Sequence, residues 1–340
     1  MVSAATSRLE GLRGGAIDAG TATVVLFLLG AAIFLLVGCL QSTAFAQFTI
    51  QGLAVGSVYG SLALALVLIY RATHVINFAQ GELALLTTYI AWELMQHGLS
   101  YWEAFAATLA IAFALGTALQ VTVIRPVQHR SVIAVVIVTV GLFILIDGIV
   151  DWIWGSTFKF MDSPFGTASF DVGGVQIQHL YVGMLVVVFV SVLLVWALFR
   201  FTKLGLGMRA AALRPSAAAL VGVRVESMLA IGWGLAAVLG AVAGLMAEPS
   251  QLFLTPSLMQ PILVYAFAAA VLGGLESPAG ALIGGLLIGV TLTLIAGYQP
   301  HIGSFRITPE LQTPLAFAVI LLILLVKPSG LFGRREVRRV

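Results

Sequence analysis

The sequence predicts an all-α polytopic integral membrane protein, and three observations carry that prediction. The chain is 60% hydrophobic and 9% charged over 340 residues, with a mean hydropathy of +1.08. Its apolar residues gather into runs of bilayer length, and its Lys and Arg gather on one side of those runs. A soluble domain carries about a quarter charged residues, so these charges are too few to build a water-facing surface. The single cysteine, Cys39, sits in an apolar run, so neither a disulfide framework nor a clustered thiolate metal site is expected. A formal net charge of +3 gives no ground for a nucleic-acid partner. In a membrane chain the placement of the positive charge is what informs.

A helix crosses the hydrocarbon core with about 20 apolar residues, or about 17 at the short end. Ten runs qualify as expected crossings: 22–40, 51–70, 82–97, 103–124, 132–154, 180–199, 228–247, 261–276, 279–297 and 311–326. Those at 82–97, 261–276 and 311–326 are short, and 261–276 could equally be re-entrant. Pro126, Pro164, Pro215, Pro249, Pro256, Pro300 and Pro328 all fall between runs, where a missing N–H costs little. Glycine does the opposite. Gly52, Gly56 and Gly60 stand four apart, as do Gly240 and Gly244, Gly280 and Gly284, and Gly285 and Gly289. That spacing lays bare backbone along one helix face and predicts close helix packing, with no chemistry implied.

With the N-terminus inside, the inner segments are 1–21, 71–81, 125–131, 200–227, the turn at 277–278, and 327–340, and they hold 15 of the 17 Lys and Arg. Only Lys159 and Arg306 fall outside. So sharp a split follows the positive-inside rule and supports the number of crossings, since one miscounted span would scramble it. The organisation expected is an inner segment 1–21, a first helix at 22–46, a transmembrane domain at 47–326 and a basic inner tail at 327–340. Arg8 and Arg13 ahead of VVLFLLGAAIFLLV, then STAFAQ with Ala44 and Ala46, also fit a secretory signal peptide. Glu10 and Asp18 in a long leading region fit a retained helix instead, and either reading leaves the later topology unchanged.

The chemistry available is narrow. The histidines at 74, 97, 129, 179 and 301 lie near run ends, with no i, i+4 pair, and neither HExxH nor GxSxG occurs. An intramembrane enzyme therefore has no catalytic cluster to use, and no metal or other cofactor is expected. Without a GxxxxGK[ST] loop, any ATP must be hydrolysed by another chain. A transporter or channel remains, marked by polar groups at membrane depth. Residues 71–85, RATHVINFAQGELAL, hold such a group between two apolar runs. Arg71 and His74 read as an inner-face anchor. Asn77, Gln80 and Glu82 stand where one helix ends and the next begins, with Gly81 expected to let the chain turn. A carboxylate opening a helix is also stabilised by its dipole, which explains Glu82 without any function. In LFILIDGIVDWIWG, Asp151 beside Trp152 and Trp154 reads as interfacial. Asp147, about 22 Å along the helix from Val132, is either functional or a helix-packing hydrogen bond.

The long inner segment, 200–227, carries five basic residues and an alanine-rich stretch suited to a short helix. It is either a solvated basic loop or a rigid element that receives force from a soluble partner. Within 207–222, Arg209 and Arg214 could anchor such an element to acidic groups, Pro215 opens a second helix at its first turn, and Gly222 ends it.

Four stretches carry a family resemblance. GLAVGSVYGSLALALVLIYRATHVINFAQGELALL is similar to the first block of branched-chain amino acid ABC transporter permeases, whose pattern reads near INFAHGE; Gln80 stands where that pattern usually has His. LGLGMRAAALRPSAAALVGVRVESM resembles the family's cytoplasmic coupling loop, AFAAAVLGGLESPAGALIGGLLIG its glycine-rich block, and LLVKPSGLFG its ending. The resemblance spans about residues 50–333, in the right order, and leaves the first run outside. Asp147 and Asp151 depart from the amide and apolar residues expected in the fifth span. The resemblance implies a permease subunit of an ABC importer in a bacterial inner membrane, with Asn77, Gln80, Glu82, Asp147 and Glu276 lining the substrate path or bracing its core. It also implies a second related permease subunit, two cytoplasmic ATPase subunits and a periplasmic substrate-binding protein, all meeting in membrane lipid. Branched-chain amino acids are the substrates implied, with urea, short amides and other small carboxylates as alternatives within the family. An ATP-independent secondary transporter would have no use for the coupling-type loop. Two further expectations follow. The segment 155–179 forms the largest outer loop, and the halves 22–154 and 180–326, five runs each, are related by an inverted repeat. NFAQGELALL and GGLESPAGALIGG, each a glycine-flanked acidic break, hint at that repeat.

Overall fold

The computed structural model describes residues 19–333, apart from 129, 167, 252, 303, 304, 307 and 328. The first 18 residues of the expected inner N-terminal segment and residues 334–340 of the basic tail lie outside the described residues. The chain divides into two compact units, Met1–Ala46 and Gln47–Val340. In the first, helix α1 (Ala19–Gln41) stops at Ser42. The Ser42 hydroxyl accepts the Phe45 N–H at 3.3 Å and so opens the next helix. Gly38 leaves room for the Phe45 ring, which meets Phe34 edge-on at 5.6 Å.

Helix α2 (Thr43–Thr73) begins in the first unit and belongs to the second for most of its length. Then follow α3 (Gln80–Gln96), α4 (Tyr101–Leu119), α5 (Val132–Trp154) and α6 (His179–Phe201). Two short helices come next, α7 (Lys203–Leu213) and α8 (Pro215–Leu220). The last four are α9 (Val225–Ala247), α10 (Met259–Gly273), α11 (Pro278–Tyr298) and α12 (Gln312–Val326). Each of the ten apolar runs falls on one of these helices. Among the described residues, seven helical stretches are long and apolar enough to cross a membrane: 43–73, 101–127, 132–154, 179–201, 225–250, 278–298 and 309–326. Residues 28–41 and 259–273 are apolar but shorter, and α3 has only 17 residues, with Glu82 and Glu93 among them. The chain is therefore a predominantly helical, multi-pass membrane protein.

The sequence supplies the helix starts. The backbone N–H and the hydroxyl of Ser100 both donate to Glu103 at 2.9 and 2.7 Å at the head of α4. Ser131, Thr202 and Ser277 accept from Ala134, Gly205 and Gly280 at the heads of α5, α7 and α11. Not everything is helix. Residues 155–178 contain an antiparallel hairpin, β1 (Ser169–Val172) with β2 (Val175–Gln178), turned by Gly173 and Gly174 at φ +63° and +85°. Two positive φ values in a two-residue loop favour glycine strongly, and their twist matches that of the strands. A second small hairpin pairs β3 (His301–Ile302) with β4 (Phe305–Arg306). The expected helical class holds over most of the described residues, with these two short strand pairs in the connecting segments.

Burial separates a core from a rim. The most apolar window of α2 is 83% buried and that of 225–250 is 72% buried, against 22% for α5 and 11% for 309–326. The glycine spacing makes the core possible. A Cβ at Gly285 or Gly289 would strike the backbone of Gly60 or Gly56, so α2 and α11 touch main chain to main chain. Gly116 meets Trp233 and Gly234 in the same way, joining α4 to α9. The GLFG ending folds onto the end of α10: the N–H groups of Leu331 and Phe332 donate to Leu272 and Gly273 at 2.8 and 3.1 Å. Two of the stretches that carried the resemblance thus meet in space.

Candidate substrate path

The break between α2 and α3 is built by side chains. Helix α2 ends at His74, which takes a left-handed conformation at φ +55°, while Thr73 Oγ1 donates to Ile69 O at 2.9 Å. This corrects the expectation that Gly81 makes the turn. Gly81 is already helical, and its bare Cα lets Leu263 of α10 approach to where a Cβ would lie 3.1 Å away. Asn77 Oδ1 accepts the Ala79 N–H at 3.1 Å, an Asx-type turn that starts α3. Its Nδ2 donates to Gln80 Oε1 at 3.2 Å, and Gln80 Nε2 donates to Ala236 O of α9 at 2.9 Å. Gly240 makes that contact possible, since a Cβ there would lie 2.7 Å from Gln80 Nε2. One turn along α9, Leu239 O accepts from Ser61 of α2 at 3.1 Å. Asn77 and Gln80 therefore tie the break to α9, and both are buried.

Glu82 is different. It lies in the first turn of α3, is 0% exposed, and neither carboxylate oxygen has a hydrogen-bond partner among the described residues. Native proteins rarely leave a buried acid unpaired, and within a membrane bundle such a group marks a pathway more often than a packing role. Asp147 of α5, which packs on α3, lies near enough for its charge to act on Glu82. Two of the residues chosen from sequence are thus brought together from separate helices. Asp151 is exposed and accepts from Ser156 at 2.7 Å, in keeping with an interfacial place. Glu276 is not part of this group. It is exposed in the turn between α10 and α11.

Three buried polar residues escaped the sequence reading. Gln120 is 1% exposed, with both amide atoms unpartnered among the described residues. It opens a single π-helical turn, Gln120–Ile124, ahead of Pro126, a local irregularity frequent at functional sites. Trp233 of α9 is 3% exposed with a free indole N–H by the same measure. Glu248, at the C-terminal end of α9, is 1% exposed and has one oxygen unpartnered among the described residues. The signal available for Gln120 was a lone amide inside the run 103–124.

Helices α7 and α8 meet at Arg214, and Pro215 occupies the first turn of α8. Gly222 has φ +86°. Its N–H donates to Ala219 O at 3.0 Å, and Val223 N–H donates to Ala218 O at 3.0 Å, the paired bonds of a Schellman stop. Arg214 is exposed, whereas Arg209 is half-buried, with Nε on Gly205 O at 3.3 Å.

A glycine-seamed helical bundle that buries polar groups unpaired among the described residues, with a structured loop between two of its long helices, is the build of a membrane transport component. The chain belongs to the family described as branched-chain amino acid transport system, permease component, whose model matches residues 48–324. It is 28% identical over 313 residues to the high-affinity branched-chain amino acid transport system permease protein LivH of Salmonella typhimurium, covering 88% of this chain and 99% of that one. The corresponding protein BraD of Pseudomonas aeruginosa is 28% identical, with 86% of this chain and 97% of that one covered. The probable permease protein LivH of Methanocaldococcus jannaschii is 30% identical over 80% of this chain and 87% of that one. This chain is accordingly a transport permease and not an enzyme.

Proposed function

We propose that this chain is the permease subunit of an ABC importer that carries branched-chain or related small amino acids across a bacterial inner membrane. The observation that carries the reading is the fully buried, unpaired Glu82 at the break between α2 and α3, inside a chain of this family. Asn77, Gln80, Glu82 and Asp147 line or brace the path, and Gln120 joins them. A second permease subunit completes the translocation unit, two cytoplasmic ATPases drive it, and a periplasmic binding protein delivers substrate to the outer loops around β1 and β2. Each partner shifts the equilibrium between inward and outward states by binding one of them better.

Ten crossings in two inverted halves fit the packing. Let α1–α5 correspond to α6, α9, α10, α11 and α12. The α2–α11 glycine seam then has its counterpart in the α9–α4 seam. The packing of α3 on α4 and α5 matches that of α10 on α11 and α12. The Gln80 link from α3 to α9 is matched by Tyr265 of α10 against Tyr59 of α2, at 5.1 Å between ring centroids. On this pairing the counterpart of the break at 74–79 is 251–258. GGLESPAG lies instead between α10 and α11, so its likeness to NFAQGE joins loops that are not equivalent, and Glu276 leaves the proposed path.

The coupling element is α7 and α8, with Arg214 at the ATPase surface. Arg209→Glu with Arg214→Glu, in the assembled transporter, is expected to leave insertion intact and abolish substrate-stimulated ATP hydrolysis and leucine uptake. Normal uptake would show that force enters elsewhere, and uptake of urea in place of leucine would replace the substrate class.

A further inference from the structure

Below the proposed path, α2, α6, α7, α9 and the head of α11 enclose a cleft of about 420 Å³. Its walls are apolar, with Leu68, Phe189, Trp196 and Leu282 among them. Its rim holds three arginines: Arg71 in the last turn of α2, Arg200 in the last turn of α6, and Arg209 on α7. Among the described residues, no acid lines the cleft and none of the three arginines has an ion-pair partner. Arg125, by contrast, is neutralised by Glu226 nearby on the inner side.

We propose that this cleft binds one anionic phospholipid of the inner leaflet, its phosphate on Arg71, Arg200 and Arg209 and an acyl chain along the apolar wall. Three observations select a lipid over a protein. The charge is all of one sign and gathered at one end, as a single anionic headgroup requires, and guanidinium groups hold phosphate oxygens in pairs. From Phe189 to Arg200 the wall runs along α6 for about 16 Å at the helical rise. That is about half of a 30 Å hydrocarbon core, the depth of one leaflet. The same face of α6 is open to the bilayer, with Phe189 66% and Trp196 53% exposed, so a lipid can enter sideways. Basic pockets between membrane helices on the cytoplasmic side are the expected place for an anionic headgroup. The position has a consequence. A lipid here would touch the end of α2, the base of α7 and the head of α9 at once, so occupancy would stiffen the root of the proposed coupling element.

The test uses the full chain with Cys39→Ser and Leu193→Cys, labelled with bimane at the introduced thiol and reconstituted in vesicles. Brominated phosphatidylglycerol and brominated phosphatidylethanolamine are titrated separately as quenchers. The expected result is preferential quenching by the anionic lipid. The preference falls about fivefold for each of Arg71→Ala and Arg200→Ala. Arg71→Lys with Arg200→Lys, which keeps the charge and loses the paired guanidinium bonds, retains more of the preference than either alanine variant. That result also shows that the site still folds. Equal quenching by the two lipids in the cleft with all three arginines intact would overturn the proposal without recourse to any arginine variant. So would quenching by neither lipid in the assembled transporter, with cross-linking from position 193 to the second permease subunit, because the occupant would then be protein.

Discussion

Glu82→Gln separates a working carboxylate from a helix-stabilising one by the sign of a stability change. The substitution keeps shape and volume and removes the acid. If Glu82 only favours the start of α3 through the helix dipole, its loss costs about 0.3–1 kcal/mol, up to about 2 in a partly buried geometry. The surroundings argue for the opposite sign. The side chain is 0% exposed, its oxygens have no hydrogen-bond partner among the described residues, and a second acid, Asp147, lies close by. An ionised carboxylate so placed costs several kcal/mol, and a protonated one, like an unsatisfied buried amide, costs about 1–3. The variant should therefore be as stable as the parent where the acid is protonated, and more stable by up to about 3 kcal/mol where it is ionised. Substrate uptake should fall at least tenfold. Melting of the purified chain followed by size-exclusion chromatography reads the first effect, and uptake by the reconstituted transporter reads the second. A lowered melting temperature with undiminished uptake would refute the reasoning, because Glu82 would then be a helix-starting residue and nothing more.

Gln80→Ala removes the bonds to Asn77 and Ala236 and should destabilise by roughly 2–4 kcal/mol, read as a lower melting temperature. Gln80→His, the residue usual in the family pattern, should recover most of that loss if its ring N–H reaches Ala236 O. Gly285→Leu drives a side chain into the backbone of Gly60 and should cost at least about 3 kcal/mol or prevent folding, read as lost monodispersity; Gly141→Leu, with open space around it, should be neutral. Phe170→Cys in a Cys39-free chain should react with an impermeant thiol reagent from the outside only, since the β1–β2 hairpin is exposed and belongs to the expected outer loop. Reaction only from the cytoplasm would invert the topology.

The positions of the helices were legible because a bilayer demands length and hydrophobicity, which survive in sequence whatever the tertiary contacts. Pro215 and Gly222 were legible for a related reason: a missing N–H and a positive φ are local requirements. The turn before α3 was not, since a left-handed histidine is uncommon and glycine at 81 looked the natural substitute. Gly81 answers to Leu263, far along the chain, which only the assembled bundle reveals. The β1–β2 hairpin was signalled by DVGGV, but an expectation of helices hid it. Glu248 and Glu276 both sit beside a proline or serine at the end of an apolar run, and nothing local tells the buried one from the exposed one. Glu82 was singled out for its place at a break, while its lack of partners, the stronger reason, belongs to the folded chain.

The distribution of contacts bears on how such a core could move. The α2–α11 and α4–α9 seams are backbone against backbone, with glycines where interlocking side chains would otherwise fix the register. Seams of that kind hold helices close through dispersion and resist sliding less than interdigitated side chains do. Polar cross-ties converge on α9: Ser61 and Gln80 fasten α2 and α3 to its consecutive turns, and Tyr101 and Thr117 of α4 donate to Leu245 O and Ala230 O at 3.1 and 3.4 Å. Buried bonds of this sort cost about 1–3 kcal/mol to leave unmade, so α2, α3, α4 and α9 should travel together. Motion then falls on the α2–α11 glycine seam that flanks this group, and the Glu82 carboxylate, carried on α3, moves with the tied group relative to α11. Under the proposed transport cycle, that places the unpaired acid on the moving side of the boundary, where a substrate ammonium group could pair with it in one state and lose it in the next.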